Sequence, residues 1–154
     1  MGRFEKRLAE HKVIGLDTPV FIYHLEAHPI YLPLTQELLN GVQTGQWQAV
    51  TSTITIMELT VPAWRLAKEG VARHYEALLV NYPNLTIAPV TRIVARHAAQ
   101  LRARFNIRPA DALQTAASLD EGATCFVTND RTLARLQPVI DVIILEDFIS
   151  NKKL

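Results

Sequence analysis

A single cysteine, Cys125, leaves the 154-residue chain without any possible internal disulfide, and its apolar neighbours mark it as a small buried hydrophobe. No apolar run approaches the roughly 20 residues that cross a bilayer. The opening residues Met1-Gly2-Arg3-Phe4-Glu5-Lys6-Arg7 lack the apolar core of a signal peptide, so a cytoplasmic location is the expectation. An excess of charge is missing too: the formal net charge is +1, which by itself announces no nucleic-acid binder. There is no repeat and no low-complexity segment. No G-x-S-x-G elbow or Cys-His arrangement supports nucleophilic catalysis. Gly41, Gly45 and Gly70 fit neither phosphate-binding glycine pattern. His24 and His28 share i, i+4 spacing, but no motif joins them to a zinc site, so they read as surface or packing residues.

What the chain does contain is an alternation of short apolar runs with amphipathic stretches. Val13-Ile14-Gly15-Leu16, Gln48 to Ser52, Leu85 to Ala88, Thr124 to Val127 and Asp141 to Ile144 read as strands. Helices are expected from Thr18 to about Glu26, with Thr18 as cap and Pro19 next, and from Leu32 to about Val42. Another begins at Thr53 and is broken or restarted at Pro62. Val71 to Val80, Thr91 to Arg104, Ala110 to Leu119, Arg131 to Leu136 and Glu146 to Ile149 complete the helical set. Continuous apolar strands separated by helices imply a three-layer α/β/α sandwich around a parallel sheet of about five strands. Residues 1–154 form one domain in this reading, with 1–11 as an N-terminal extension.

Ligands of such sheets bind beyond the carboxyl ends of the strands. Asp17 directly follows the first strand, and Asp130 sits just past the fourth, in Thr128-Asn129-Asp130. Glu58 lies over a turn into the helix after the second strand, and Asp111 in the first turn of the helix before the fourth. Each acid has an ordinary explanation as a cap, a dipole partner or a surface residue. One shared explanation covers all four: carboxylates crowded in a cleft need raised pKa values or a cation. An all-oxygen donor set selects a hard ion such as Mg²⁺ or Mn²⁺, and metals so held can activate water at a phosphodiester. Between Thr91 and Arg108 the chain carries Arg92, Arg96, Arg102, Arg104, Arg108 and His97 without an acid. Arg92 and Arg96, on one helix face, are the candidate phosphate contacts.

The segments "IGLDTPVFIY" (14–23), "TSTITIMEL" (51–59), "RPADALQTAAS" (108–118) and "FVTNDRTL" (126–133) together resemble the PIN domain nucleases, and among them the VapC-type toxins. They follow the family's order over nearly the whole chain. The resemblance implies that Asp17, Glu58, Asp111 and Asp130 are both catalytic and metal-binding, with Thr128 and Asn129 supporting them through hydrogen bonds. It implies a Mg²⁺- or Mn²⁺-dependent endoribonuclease acting on RNA, dimeric, and held by a cognate antitoxin. Pro19 departs from the pattern, since the family commonly has a polar residue there. Alternatives within the resemblance are an RNA-processing nuclease without an antitoxin and an inactive RNA- or protein-binding module. A phosphoacceptor or phosphohydrolase fold is disfavoured, because "DTP" supplies no D-x-D and no suitable lysine follows a late strand. The apolar residues Phe21, Ile22, Leu25, Leu32, Leu38, Leu39, Trp64 and Leu66 exceed what a small sheet covers; those left over are expected to form a homodimer contact or an antitoxin groove.

Overall fold

A computed structural model of the protein describes residues 2–149. Its strands are β1 (Val13–Leu16), β2 (Gln48–Ser52), β3 (Leu85–Ala88), β4 (Cys125–Thr128) and β5 (Asp141–Ile144). They form one sheet in the order β3-β2-β1-β4-β5, and every pairing is parallel. The helices are α1 (Arg3–Leu8), α2 (Thr18–Leu25), α3 (Leu32–Gln43), α4 (Thr53–Arg65), α5 (Glu69–Val80), α6 (Arg92–Phe105) and α7 (Pro109–Asp120). This is the expected three-layer sandwich.

Strand side chains alternate between two cores, as the period of two requires. Ile14, Leu16, Ala49, Cys125, Val127 and Ile143 point into one core, with Phe21, Leu38, Leu39 and Trp47. Val50 and Phe126 point into the other, with Val94, Leu101, Ala112 and Ala116. Close approach is built in at Gly41, where an added Cβ would sit 2.2 Å from the Trp47 ring. The Cys125 thiol is fully buried, and burial pushes its pKa up.

Several local expectations change. Residues 3–8, read as part of an extension, form α1 and bury Phe4 and Leu8 in the first core. Pro62 does not break α4, which continues to Arg65. Proline removes one backbone bond and crowds the carbonyl four residues earlier, and the turns on either side carry the helix past it. The cap of α2 is Asp17, whose side chain accepts from the Thr18 N–H; Thr18 is the first helical residue instead. The segments Arg131–Leu136 and Leu145–Phe148 are 3₁₀ rather than α, in keeping with their few residues. Among the apolar residues counted as surplus, Phe21, Leu38 and Leu39 are core, whereas Trp64 is 50% and Leu66 66% exposed. His28 packs against Tyr23 and Tyr31; His24 is half-buried, and burial lowers its pKa. No described helix is long and apolar enough to cross a membrane.

Candidate active site

The strand order reverses between β1 and β4: the chain moves outward from β1 through β2 to β3, then returns to β4 on the other side. Crevices in open parallel sheets form at the carboxyl edge of such a reversal. Asp17 leaves β1 there, and its N–H still bonds Val127 O of β4 at 3.0 Å. A cleft at this point is lined by Asp17, Thr18, Pro19, Ile22, Glu58, Arg108, Asp111 and Asp130. All four sequence-predicted acids therefore face one space, delivered by β1, α4, α7 and the loop after β4.

Asp17 is the deepest, at 6% exposure. Its Oδ1 accepts from the Thr18 N–H at 2.9 Å and its Oδ2 from the Thr128 hydroxyl at 2.7 Å. Burial nevertheless pushes its pKa up to about 6, and the charges of Asp111 and Glu58 add to the rise. Thr128 also accepts the Asp130 N–H at 3.1 Å, tying the two strand ends together. Asp130 is half-buried, which alone would raise its pKa; hydrogen bonds from Thr132 and the nearby Arg108 guanidinium outweigh burial and hold it below the usual value. Asp130 is also a genuine cap, accepting from the Thr132 N–H at 3.0 Å and the Thr132 hydroxyl at 2.8 Å. Asn129 takes no part in this web: it donates to the Tyr23 hydroxyl at 3.3 Å and accepts from the Glu146 N–H at 3.0 Å.

Beneath the acids lies a buried polar network that motif reading passed over. Gln114 on α7 donates to Thr55 Oγ1 at 2.7 Å and Thr18 Oγ1 at 3.1 Å, and accepts from Ser52 Oγ at 2.5 Å. Thr51 donates to Leu16 O at 3.0 Å, which leaves the Thr55 proton to Thr51 at 2.8 Å or Thr18 at 3.0 Å. The Thr18 proton then goes to Glu58 Oε1 at 2.8 Å. The network runs from one buried amide to the exposed Glu58. The signal in the sequence was a lone Gln114 among the alanines of α7.

Arg108 was the other residue missed. It donates from Nε to Asp111 Oδ2 and from Nη2 to Asp130 Oδ2, each at 3.0 Å, while remaining 76% exposed. Arg92 and Arg96 are exposed at the start of α6, which follows β3 and so rises from the same sheet edge. Neither is among the residues that line the cleft, and β3, from which α6 departs, is two strands from β1 in the sheet.

The cleft's lining balances four carboxylates against one guanidinium. An Asp17 whose ionisation is opposed chiefly by burial and further by two neighbouring acids fits a bound divalent cation, and the donor atoms suit a hard one. Among the described residues, the one trio of possible ligand atoms mutually within 4.8 Å is elsewhere: Glu10, His11 and Asp141. These lie at the amino ends of the strands, where Asp141 is already bound by Arg7 at 2.5 Å and His11 at 2.8 Å. In the acid cleft, by contrast, the carboxylates stand further apart and two of them share Arg108.

Comparison with known proteins agrees with the fold. No curated protein matches the sequence. Similar solved structures include VapBC2 from Rickettsia felis bound to a DNA fragment from their promoter, with 20% identity and a TM-score of 0.65 over 86% of this chain and 98% of that one. DNA-bound VapBC from Salmonella typhimurium has 24% identity and a TM-score of 0.64, over 87% and 98% of the two chains. A toxin-antitoxin complex from Klebsiella pneumoniae has 18% identity and a TM-score of 0.62, over 86% and 97%. The PIN domain model matches residues 14–137, from the first strand through the turn after Asp130, and the chain belongs to the PIN domain family of nucleases.

Proposed function

We propose that the protein is a Mg²⁺- or Mn²⁺-dependent endoribonuclease, the toxin of a toxin-antitoxin pair. The observation that carries this reading is the convergence of Asp17, Glu58, Asp111 and Asp130 on one cleft, with Asp17 buried and hard to ionise there. Asp17 and Asp111 are the principal cation holders. Glu58, oriented by the Thr18 hydroxyl, and Asp130, oriented by Thr132, bind the ion or its water and position the attacking group. A bound divalent cation would supply water activation and charge neutralisation at the phosphodiester. Arg92 and Arg96 offer phosphate contacts along the same edge, suited to single-stranded or looped RNA.

The partner in this reading is an antitoxin segment. A groove lined by Ile22, Leu25, Leu59, Pro62, Leu66 and Tyr75 opens beside Glu58 and adjoins the acid cleft through Ile22. An apolar chain laid in it would run toward the acids. The outlying Trp64 is available to the same partner or to a second copy.

The deciding experiment is cleavage of a single-stranded RNA in Mn²⁺, Mg²⁺ and EDTA by wild type and Asp111→Asn. Cation-dependent cleavage lost in the variant supports the proposal; undiminished cleavage by the variant rejects the site. A non-catalytic module is the second reading, favoured by the Arg108 bridge across Asp111 and Asp130. Its signature is RNA or protein binding with no cleavage in either ion.

A further inference from the structure

We propose that Arg108 is a built-in counter-ion that holds Asp111 and Asp130 when no divalent cation is present and is displaced when one binds. The inference rests on reading the acid cleft as a cation site, and adds how access to that site is controlled.

Arg108 has extended backbone (φ −66°, ψ 154°) immediately before α7, and its side chain makes no cap to that helix. Pro109 fixes the next residue at the helix start, so the extended conformation of Arg108 is the one its follower favours. From there the guanidinium reaches two acids on different elements, Asp111 on α7 and Asp130 after β4, with separate N–H groups. Both oxygens of Asp130 are thereby engaged: Oδ2 by Arg108, Oδ1 by Thr132. Each oxygen keeps acceptor capacity, but a cation on Asp130 Oδ2 would share that atom with the Arg108 guanidinium. The Thr132 contacts are local and part of the 3₁₀ cap, whereas the Arg108 bridge spans elements and is made by a side chain that is 76% exposed.

Exposure makes the bridge displaceable, because ion pairs in high dielectric are weakly held. It does not make it irrelevant to a cation. A dication entering the cleft meets the positive charge of Arg108 at close range and competes with it wherever it takes either Oδ2 atom. Once released, the guanidinium stands at the mouth of the cleft, with a planar donor fork suited to a phosphate oxygen pair. The bridge therefore couples cation entry to the freeing of a phosphate-binding group.

The test is calorimetric titration of Mn²⁺ into RNA-free wild type, Arg108→Gln and Arg108→Lys, each checked by thermal melting. Removing the charge should tighten Mn²⁺ binding about tenfold, with the lysine variant between the two because it keeps charge and loses the fork. In parallel, the Arg108 Nε–H resonance of the wild type should shift from a hydrogen-bonded to a solvent-exposed position as Mg²⁺ is added. If wild type binds Mn²⁺ and Arg108→Gln binds it no more tightly, the counter-ion role is overturned while the cation site stands. If neither protein binds Mn²⁺ or Mg²⁺, the cation site itself fails, and this inference with it. Mn²⁺ binding by Arg108→Gln alone would support the block in its strongest form.

Discussion

The Thr128 hydroxyl donates to Asp17 Oδ2 at 2.7 Å across the two strands at which the sheet reverses. The same oxygen accepts the Asp130 N–H at 3.1 Å, so one side chain fixes the outlets of both β1 and β4. Its bond to Asp17 is charge-assisted when that acid is ionised, and such bonds are the stronger kind. Thr128→Val keeps the shape and deletes the hydroxyl. It should destabilise the metal-free protein by about 1–3 kcal/mol at pH 7, the range for leaving a buried group unsatisfied. The loss should shrink near pH 5, where Asp17 is protonated in the folded state. Urea unfolding at the two pH values checks this; an equal loss at both would mean that the bond to the carboxylate is not the source.

Gln114 holds a second prediction. Its amide satisfies Thr18, Thr55 and Ser52 simultaneously, and its side chain is almost entirely buried. Gln114→Ala leaves these hydroxyls short of partners and opens a cavity, with an expected loss of about 2–4 kcal/mol. Gln114→Glu preserves volume and replaces two amide donors with at most the one hydroxyl of a protonated carboxyl, so it separates polarity from packing. If Gln114→Glu is as stable as wild type by urea unfolding, the network is not contributing as the geometry indicates.

Much of this was legible in the sequence, for physical reasons that differ by residue. The strands were visible because a sheet buried on both faces needs uninterrupted apolar runs, and Ile14, Leu16, Phe126 and Val127 supply them. Asp17 and Asp130 were visible because acids seldom end such runs without purpose. Arg108 was hidden inside a basic stretch, where composition does not separate a solvated arginine from one folded onto two acids; its i, i+3 spacing to Asp111 was the available clue. Thr18 looked like a cap because capping is local chemistry, but its hydroxyl is claimed by Gln114, 96 residues away. Long-range polar pairing of that kind leaves no periodicity. Pro62 was misjudged because proline's effect on a helix depends on whether the surrounding turns are held by packing, which the flanking sequence does not show.

RNA binding gives a third prediction. Arg92 and Arg96 are exposed on one face of α6, and each phosphate contact on a single strand releases condensed counterions. Replacing both with Ala should weaken binding of a single-stranded RNA. It should also flatten the slope of log affinity against log salt by about 1.4 if each contacts one phosphate. Fluorescence anisotropy in Ca²⁺ between low and moderate salt measures this. A slope identical to that of wild type would assign this face to solvent.

The acids themselves give the last prediction, through the linkage of protons, cation and folding. The Asp17 pKa rises from 3.8 to about 6 in the folded protein, chiefly by burial, with Asp111 and Glu58 adding repulsion. The folded state therefore holds this proton more tightly than the unfolded state does. The stability that follows is fully present below pH 4 and is lost as pH rises through about 6; by pH 7 the loss is roughly 3 kcal/mol. Asp130 and Asp141, whose pKa values are lowered, act in the opposite direction as pH falls. Asp17→Asn removes the ionisation behind the first contribution and exchanges the Oδ2 acceptor of Thr128 for an amide donor, while Asn still caps α2 about as well as Asp does. In EDTA the variant should accordingly melt above wild type at pH 7, and the advantage should disappear near pH 4.5. Added Mn²⁺ reverses the ranking. At a hundred times its dissociation constant the ion stabilises wild type by about 2.7 kcal/mol, while a variant lacking the deepest carboxylate gains much less. Melting curves of the two proteins across pH, with EDTA and with Mn²⁺, carry both tests. Parallel responses to pH would mean that burial does not oppose the charge of Asp17, and parallel responses to Mn²⁺ would leave Asp17 as a helix cap and nothing more.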